Sequence, residues 1–72
     1  MSTSQLSISP YEHIEGLVAH LVIRPALVTS KTVIFECASE STANQCSEAL
    51  KTHHAYVVAK GNRWFVSASL MG

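Results

Sequence analysis

Two apolar segments near the C-terminus, residues 55–59 and 64–68, flank a short polar turn and predict a β-hairpin. At the centre of the turn stand Gly61 and Asn62, which tolerate the positive φ angles that tight hairpin loops require. This loop fixes the register, because a slip by one residue would carry Ser67 and Ser69 into the core. The predicted cross-strand pairs are Lys60 with Arg63, Ala59 with Trp64, Val57 with Val66 and Ala55 with Ala68.

A further strand is predicted over residues 32–38, which are rich in β-branched and aromatic side chains. Residues 26–30 before it are compatible with a short extended segment that ends in a turn at residues 30–31. Alternate side chains of a strand point to opposite faces of the sheet. The inward set is Val33, Phe35 and Cys37, and the outward set is Ile34 and Glu36.

The segment after residue 8 carries the signals of a helix start. Ser9 can cap the first amides, Pro10 suits the first helical position, and Glu12 can complete a capping box. Pro25 bars continuation, so the helix is predicted to end near Ile23. Residues 17–23 also alternate like a strand, but the two boundary signals favour the helix. The predicted core-facing stripe is Tyr11, Ile14, Leu17, Val18 and Leu21.

A second helix is predicted between residue 39 and Thr52, with Ser39 and Ser41 as candidate caps. Its inner stripe consists of small or medium side chains, which allows close packing on a sheet. The members of this stripe are Ala43, Cys46, Ala49 and Leu50.

These elements predict a two-layer α+β fold in the order α-β-α-β-β. Two helices would cover one face of a small mixed three-stranded sheet that ends in the hairpin, because crossover connections are right-handed. The alternative order is ββαββ. We expect residues 1–8 to form a flexible arm and residues 9–72 to form a single small domain.

Composition narrows the classes of function. Five Lys and Arg balance five Glu, so the chain has no net positive charge to attract nucleic acid. Nucleic-acid binding is therefore disfavoured. The apolar run at residues 16–23 is too short to span a bilayer and has no basic leader, so neither a membrane segment nor a signal peptide is predicted. Two cysteines in a chain of 72 residues do not make a disulfide scaffold, which indicates a reducing, cytoplasmic compartment.

No pattern in the chain indicates an enzyme, a metal site or a cofactor. The histidines do not stand at the spacing of known zinc sites, and Cys37 and Cys46 are interpreted as small buried hydrophobes. Glycine-rich phosphate loops, nucleophile elbows and paired carboxylates are all missing from the sequence. A small thiol or metal protein is the lowest-ranked of the functional hypotheses.

The hairpin register leaves one sheet face open, with two aromatic and two β-branched side chains on it. Such a face is typical of an interface centre, so we predict a binding module for another protein or for a second copy of the chain. A cover formed by the arm or by residues 26–30 is the competing interpretation. The predicted binding residues are Ile34, Tyr56, Val58, Lys60, Arg63 and Phe65.

In type, a short, near-neutral chain with a helix-backed antiparallel hairpin resembles the small phage-encoded proteins that act by occupying a host protein, the anti-CRISPR proteins among them. No motif carries the resemblance, and no functional position is transferred. It implies an inhibitor that works by occupancy. The alternative is a structural subunit of a homodimer or a larger assembly.

Overall fold

The computed structural model describes residues 10–70, in which two helices pack on one face of a four-stranded sheet. A short 3-10 helix, Lys51–His53, connects the second helix to the third strand. The predicted arm and the predicted Ser9 cap lie outside the described residues. The elements are α1 (Pro10–Leu17), β1 (Ile23–Val28), β2 (Thr32–Cys37), α2 (Glu40–Ala49), β3 (Tyr56–Lys60) and β4 (Arg63–Ser69).

The strands lie in the order β1-β2-β4-β3, and every neighbouring pair is antiparallel. The α+β class is confirmed, but the prediction of a three-stranded mixed sheet was wrong, because the sheet has four strands and all of its pairs are antiparallel. After the hairpin, β4 folds back between β2 and β3, which are parallel to each other but not adjacent. The predicted element order was also wrong, because β1 was not counted as a strand. From residue 23 onward the order of helices and strands matches the alternative, ββαββ, with α1 in front of it.

Helix α1 is shorter than predicted because the chain turns directly after Leu17. The Val18 amide donates to the Glu15 carbonyl at 3.2 Å and the Leu21 amide to the Val18 carbonyl at 3.0 Å, which are bonds of the tighter 3-10 type. Ile14 and Val18 are buried as the stripe predicted. Leu17 is 37% exposed, so its predicted place in the core was wrong.

Strand β1 contains the proline that was interpreted as a helix stop. Pro25 is tolerated there because β1 is an edge strand, where a missing amide donor does not interrupt the sheet. Ile23 pairs with Cys37, and a bulge between Pro25 and Leu27 shifts the register, so that Leu27 lies opposite Ile34. Pairing with β2 therefore decided the conformation of this segment.

The hairpin between β3 and β4 has the predicted register. Lys60 pairs with Arg63, and the ladder continues to Tyr56 opposite Ser67. Gly61 has a φ of 64° and Asn62 is not among the described residues with a positive φ, as in a type II′ turn with glycine at its first central position. The predicted pair of residues 55 and 68 lies just beyond the ladder.

The core lies between the helices and the inner face of the sheet. Ser39 caps α2 by accepting the Thr42 amide at 3.2 Å, as predicted. The α-helix ends at Ala49 rather than Thr52, because the chain tightens into the 3-10 helix. The buried apolar residues of this core are Ile14, Val18, Val33, Phe35, Cys37, Ala43, Cys46, Leu50, Val66 and Ala68.

No helix within residues 10–70 has the length and apolar character to cross a bilayer.

Candidate binding face

No described residue covers the sheet face opposite the helices. Because neighbouring strands are paired in register, its side chains form cross-strand rows. One row is apolar apart from a central serine, and the next combines charge with an aromatic ring. We call this surface the outer face, and its residues are Arg24, Leu27, Ile34, Glu36, Tyr56, Val58, Lys60, Arg63, Phe65 and Ser67.

A groove of about 310 Å³ runs across the outer face. Ser67 forms its floor and is only 7% exposed, although it lies on the side away from the helices. In its row Ser67 stands between Ile34 and Tyr56, and a small side chain between two large ones leaves a depression. The groove is lined by Ala26, Leu27, Ile34, Tyr56, Val58, Lys60, Phe65 and Ser67.

Large apolar side chains beside the groove are strongly exposed. Tyr56 is 59% exposed, Leu27 is 52% exposed and Val58 is 37% exposed. Single exposed apolar residues are common on proteins, but three adjoining one apolar groove form a contiguous patch. A partner that removed this apolar surface from water would stabilise the resulting complex.

One end of the outer face is an ion cluster around Glu36. Arg63 donates to both carboxylate oxygens, from Nε to Oε2 at 2.8 Å and from Nη2 to Oε1 at 2.9 Å. Arg24 Nη2 donates to Oε1 at 3.0 Å. These hydrogen bonds, first from Arg63 and then from Arg24, hold the pKa of Glu36 below its usual value. The Arg63 guanidinium carbon also lies 5.7 Å from the centre of the Phe65 ring, within cation–π distance.

The lowered pKa of Glu36 predicts a specific acid sensitivity. Its stabilising effect is present above the ordinary pKa and is lost as the pH falls through the lowered folded-state value. Urea unfolding at neutral and acidic pH should therefore show that Glu36→Gln loses less stability on acidification than the wild type. Glu48→Gln is the control, because it removes an exposed pair with Lys51 and should keep the wild-type profile. Identical profiles for all three proteins would contradict this role of Glu36.

The structure places all six predicted binding residues on the outer face. Five of them line the groove, and Arg63 lies in the ion cluster beside it. Their role in binding stays a prediction. Residues 26–28 do not cover the face but extend it as part of β1. Sequence reasoning missed Arg24 and Leu27, because the bulge in β1 breaks the alternation that would have indicated a strand.

The two cysteines lie on the other side of the sheet, in the core. Cys37 of β2 and Cys46 of α2 are both buried. Burial raises the pKa of both thiols, and together with the neighbouring Cys37 thiol it raises that of Cys46 to about 12. A thiol that keeps its proton is a poor nucleophile and a poor metal ligand, which speaks against the thiol hypothesis.

The histidines form one pair, which connects α1 to the 3-10 helix. The rings of His13 and His53 lie edge to face with centres 5.4 Å apart, and His53 Nδ1 is buried without a hydrogen-bond partner among the described residues. His20 and His54 are exposed. Within residues 10–70, no three His, Cys, Asp or Glu side chains come together as a metal site would require.

Comparison with known proteins finds no family model, no curated protein and no solved structure that matches the chain. The outer face itself combines an open apolar groove, exposed apolar side chains and a charged rim.

Proposed function

We propose that this protein is a non-catalytic module that binds another protein through its outer face. The observation that carries the proposal is the division of apolar residues between the two sides of the sheet. The buried apolar core lies entirely on the helix side, so the exposed tyrosine, valine and leucine of the outer face are not required to complete it. Apolar patches with a charged rim are typical of interface centres.

The groove suits a protein side chain better than a free small molecule. Its volume of about 310 Å³ is at the small end of the range of ligand pockets. It is an open depression in a sheet, and no histidine or carboxylate lines it that could act as a general base for Ser67. These features support binding without catalysis.

Occupancy of a partner's surface is the mode of action that we propose, as in the small phage-encoded inhibitors that the chain resembles in type. A reducing compartment, the cytoplasm, fits the two buried free cysteines. Neither thiol is needed for contact with a partner, because both lie on the helix side of the sheet.

Affinity capture with outer-face variants tests the proposal. Tyr56→Ala and Val58→Ala should each weaken partner binding by more than about 1 kcal/mol, because they remove contact area at the centre of the face. Leu17→Ala is the matched control, since Leu17 is as exposed as Val58 but lies on α1. The full chain serves as bait in a lysate of the cells that carry the protein, and circular dichroism verifies the fold of each variant.

The expected result is one partner that the wild type and Leu17→Ala retain and that both outer-face variants lose. A partner retained equally by all four proteins would contradict the proposal. A partner lost only with Leu17→Ala would instead assign binding to the helix side.

A further inference from the structure

The zero net charge of the chain conceals a separation of charge between its two sides. Four of the five glutamates lie on the helices, and the fifth, Glu36, lies on the outer face. The outer face carries three of the five cations and the helix side carries one, Lys51, while Lys31 lies in the turn between β1 and β2. The helix glutamates are Glu12, Glu15, Glu40 and Glu48, and the outer-face cations are Arg24, Lys60 and Arg63.

From this separation we infer that the outer face selects an acidic protein segment, in which carboxylates flank an apolar side chain that enters the groove. The inference rests on the proposed function and names the chemistry of the partner. An acidic segment complements the excess of positive charge, and an apolar side chain complements the groove.

The positive charge of the outer face is not neutralised internally. Glu36 is shared by two arginines, so the ion cluster keeps an excess of one positive charge. Lys60 lines the groove and forms no ion pair with a described residue. A carboxylate next to a side chain in the groove would therefore meet Lys60, and a second would meet the exposed donors of Arg24.

A second copy of the chain is a poorer occupant. A symmetric dimer through this face brings the same patch together with itself, so each copy would offer three cations and one carboxylate that is already paired. Nucleic acid also fits less well, because three cations neutralise few phosphates and the helix side of the molecule is acidic.

Titration of the ¹⁵N-labelled full chain with synthetic peptides tests the inference by nuclear magnetic resonance. Three peptides share one leucine-phenylalanine-valine centre and differ only in flanking residues, which are glutamate, glutamine or lysine. The glutamate peptide should bind at least about tenfold more tightly than the glutamine peptide and shift the amides of the outer-face strands. Raising the ionic strength from about 0.1 M to about 1 M shortens the Debye length from about 10 Å to about 3 Å and should remove this preference.

A pair of charge reversals locates the selectivity. Lys60→Glu should weaken binding of the glutamate peptide at least about tenfold. Lys51→Glu changes the net charge by the same amount on the helix side and should leave the affinity unchanged. An equal loss in both variants would show that only total charge matters, which would overturn the assignment to the outer face.

The remaining outcomes separate this inference from the proposed function. Equal binding of the glutamate and glutamine peptides overturns the acidic preference and leaves the binding module standing. Failure of all three peptides overturns the inference, and the capture experiment then decides the proposed function alone. Tighter binding of a single-stranded oligonucleotide overturns both. Failure of all peptides also overturns both if the outer-face amide shifts depend on protein concentration, which would assign the face to a second copy. It overturns both likewise if those amides shift when residues 1–9 are deleted, which would assign the face to that segment.

Discussion

Phe35→Ala is expected to destabilise the protein by about 3–5 kcal/mol, the usual effect of removing a buried phenylalanine. Phe35 is 2% exposed on the inner face of β2, and Tyr11 of α1 stacks on it with ring centres 6.4 Å apart. The substitution would leave a cavity between α1 and the sheet. Since domains of this length have a total stability of about 4–10 kcal/mol, much of the variant should be unfolded in urea titrations followed by circular dichroism.

Phe65→Ala is the matched control for this prediction. Phe65 lies on the adjacent strand β4 but on the outer face, opposite Glu36 and Val58. Among the described residues it belongs to no part of the helix-packed core, so its truncation should cost less than half of the loss measured for Phe35→Ala. Equal losses would show that the outer face is part of a core, which would contradict its assignment as a binding surface.

A second large effect is expected at alkaline pH. Burial, together with the neighbouring Cys37 thiol, raises the pKa of the Cys46 thiol from 9.0 to about 12, so the folded protein keeps a proton that the unfolded chain releases. A group whose folded-state pKa is raised stabilises the fold fully below its unfolded pKa and loses that effect as the pH rises to the folded value. Between pH 9 and about 12, ionisation of this thiol should therefore lower the free energy of unfolding by about 4 kcal/mol, at about 1.36 kcal/mol per pH unit.

Cys46→Ala isolates this effect, because alanine has no proton to release. The variant should lose some stability at every pH from the small cavity, but its stability should fall much less between pH 9 and about 12. Urea unfolding across that range measures both profiles. Burial also raises the pKa of Cys37, which acts in the same direction in both proteins, and Cys46→Ala removes the hydrogen bond to Cys46 that lowers it. Parallel profiles would show that Cys46 ionises as freely in the fold as in the unfolded chain.

Local patterns predicted the parts of the fold that local contacts determine. The Gly-Asn turn and the apolar runs beside it gave the register of β3 with β4, since a two-residue loop allows one pairing. Alternation in β2 gave its inner and outer sides correctly, with Val33 and Phe35 buried. These two results placed the predicted binding residues on a single face.

The errors arose where distant pairing decides the structure. Residues 17–23 carry signals of both helix and strand, and the partner β2 is available only in the folded chain. The bulge beside Pro25 then hid the alternation of β1, so Arg24 and Leu27 were not assigned to the outer face. Charge separation was missed for a related reason. A net charge of zero says nothing about which side of the sheet each glutamate occupies.

The central claim is that the outer face is open and holds a different protein rather than a second copy. Light scattering after size exclusion, across a wide series of concentrations, tests this most directly. The predicted result is a monomer of 7.8 kDa at every concentration, with Val58→Glu indistinguishable from the wild type. A stable dimer that Val58→Glu converts to a monomer would contradict the claim, because the outer face would then be the interface of a homodimer.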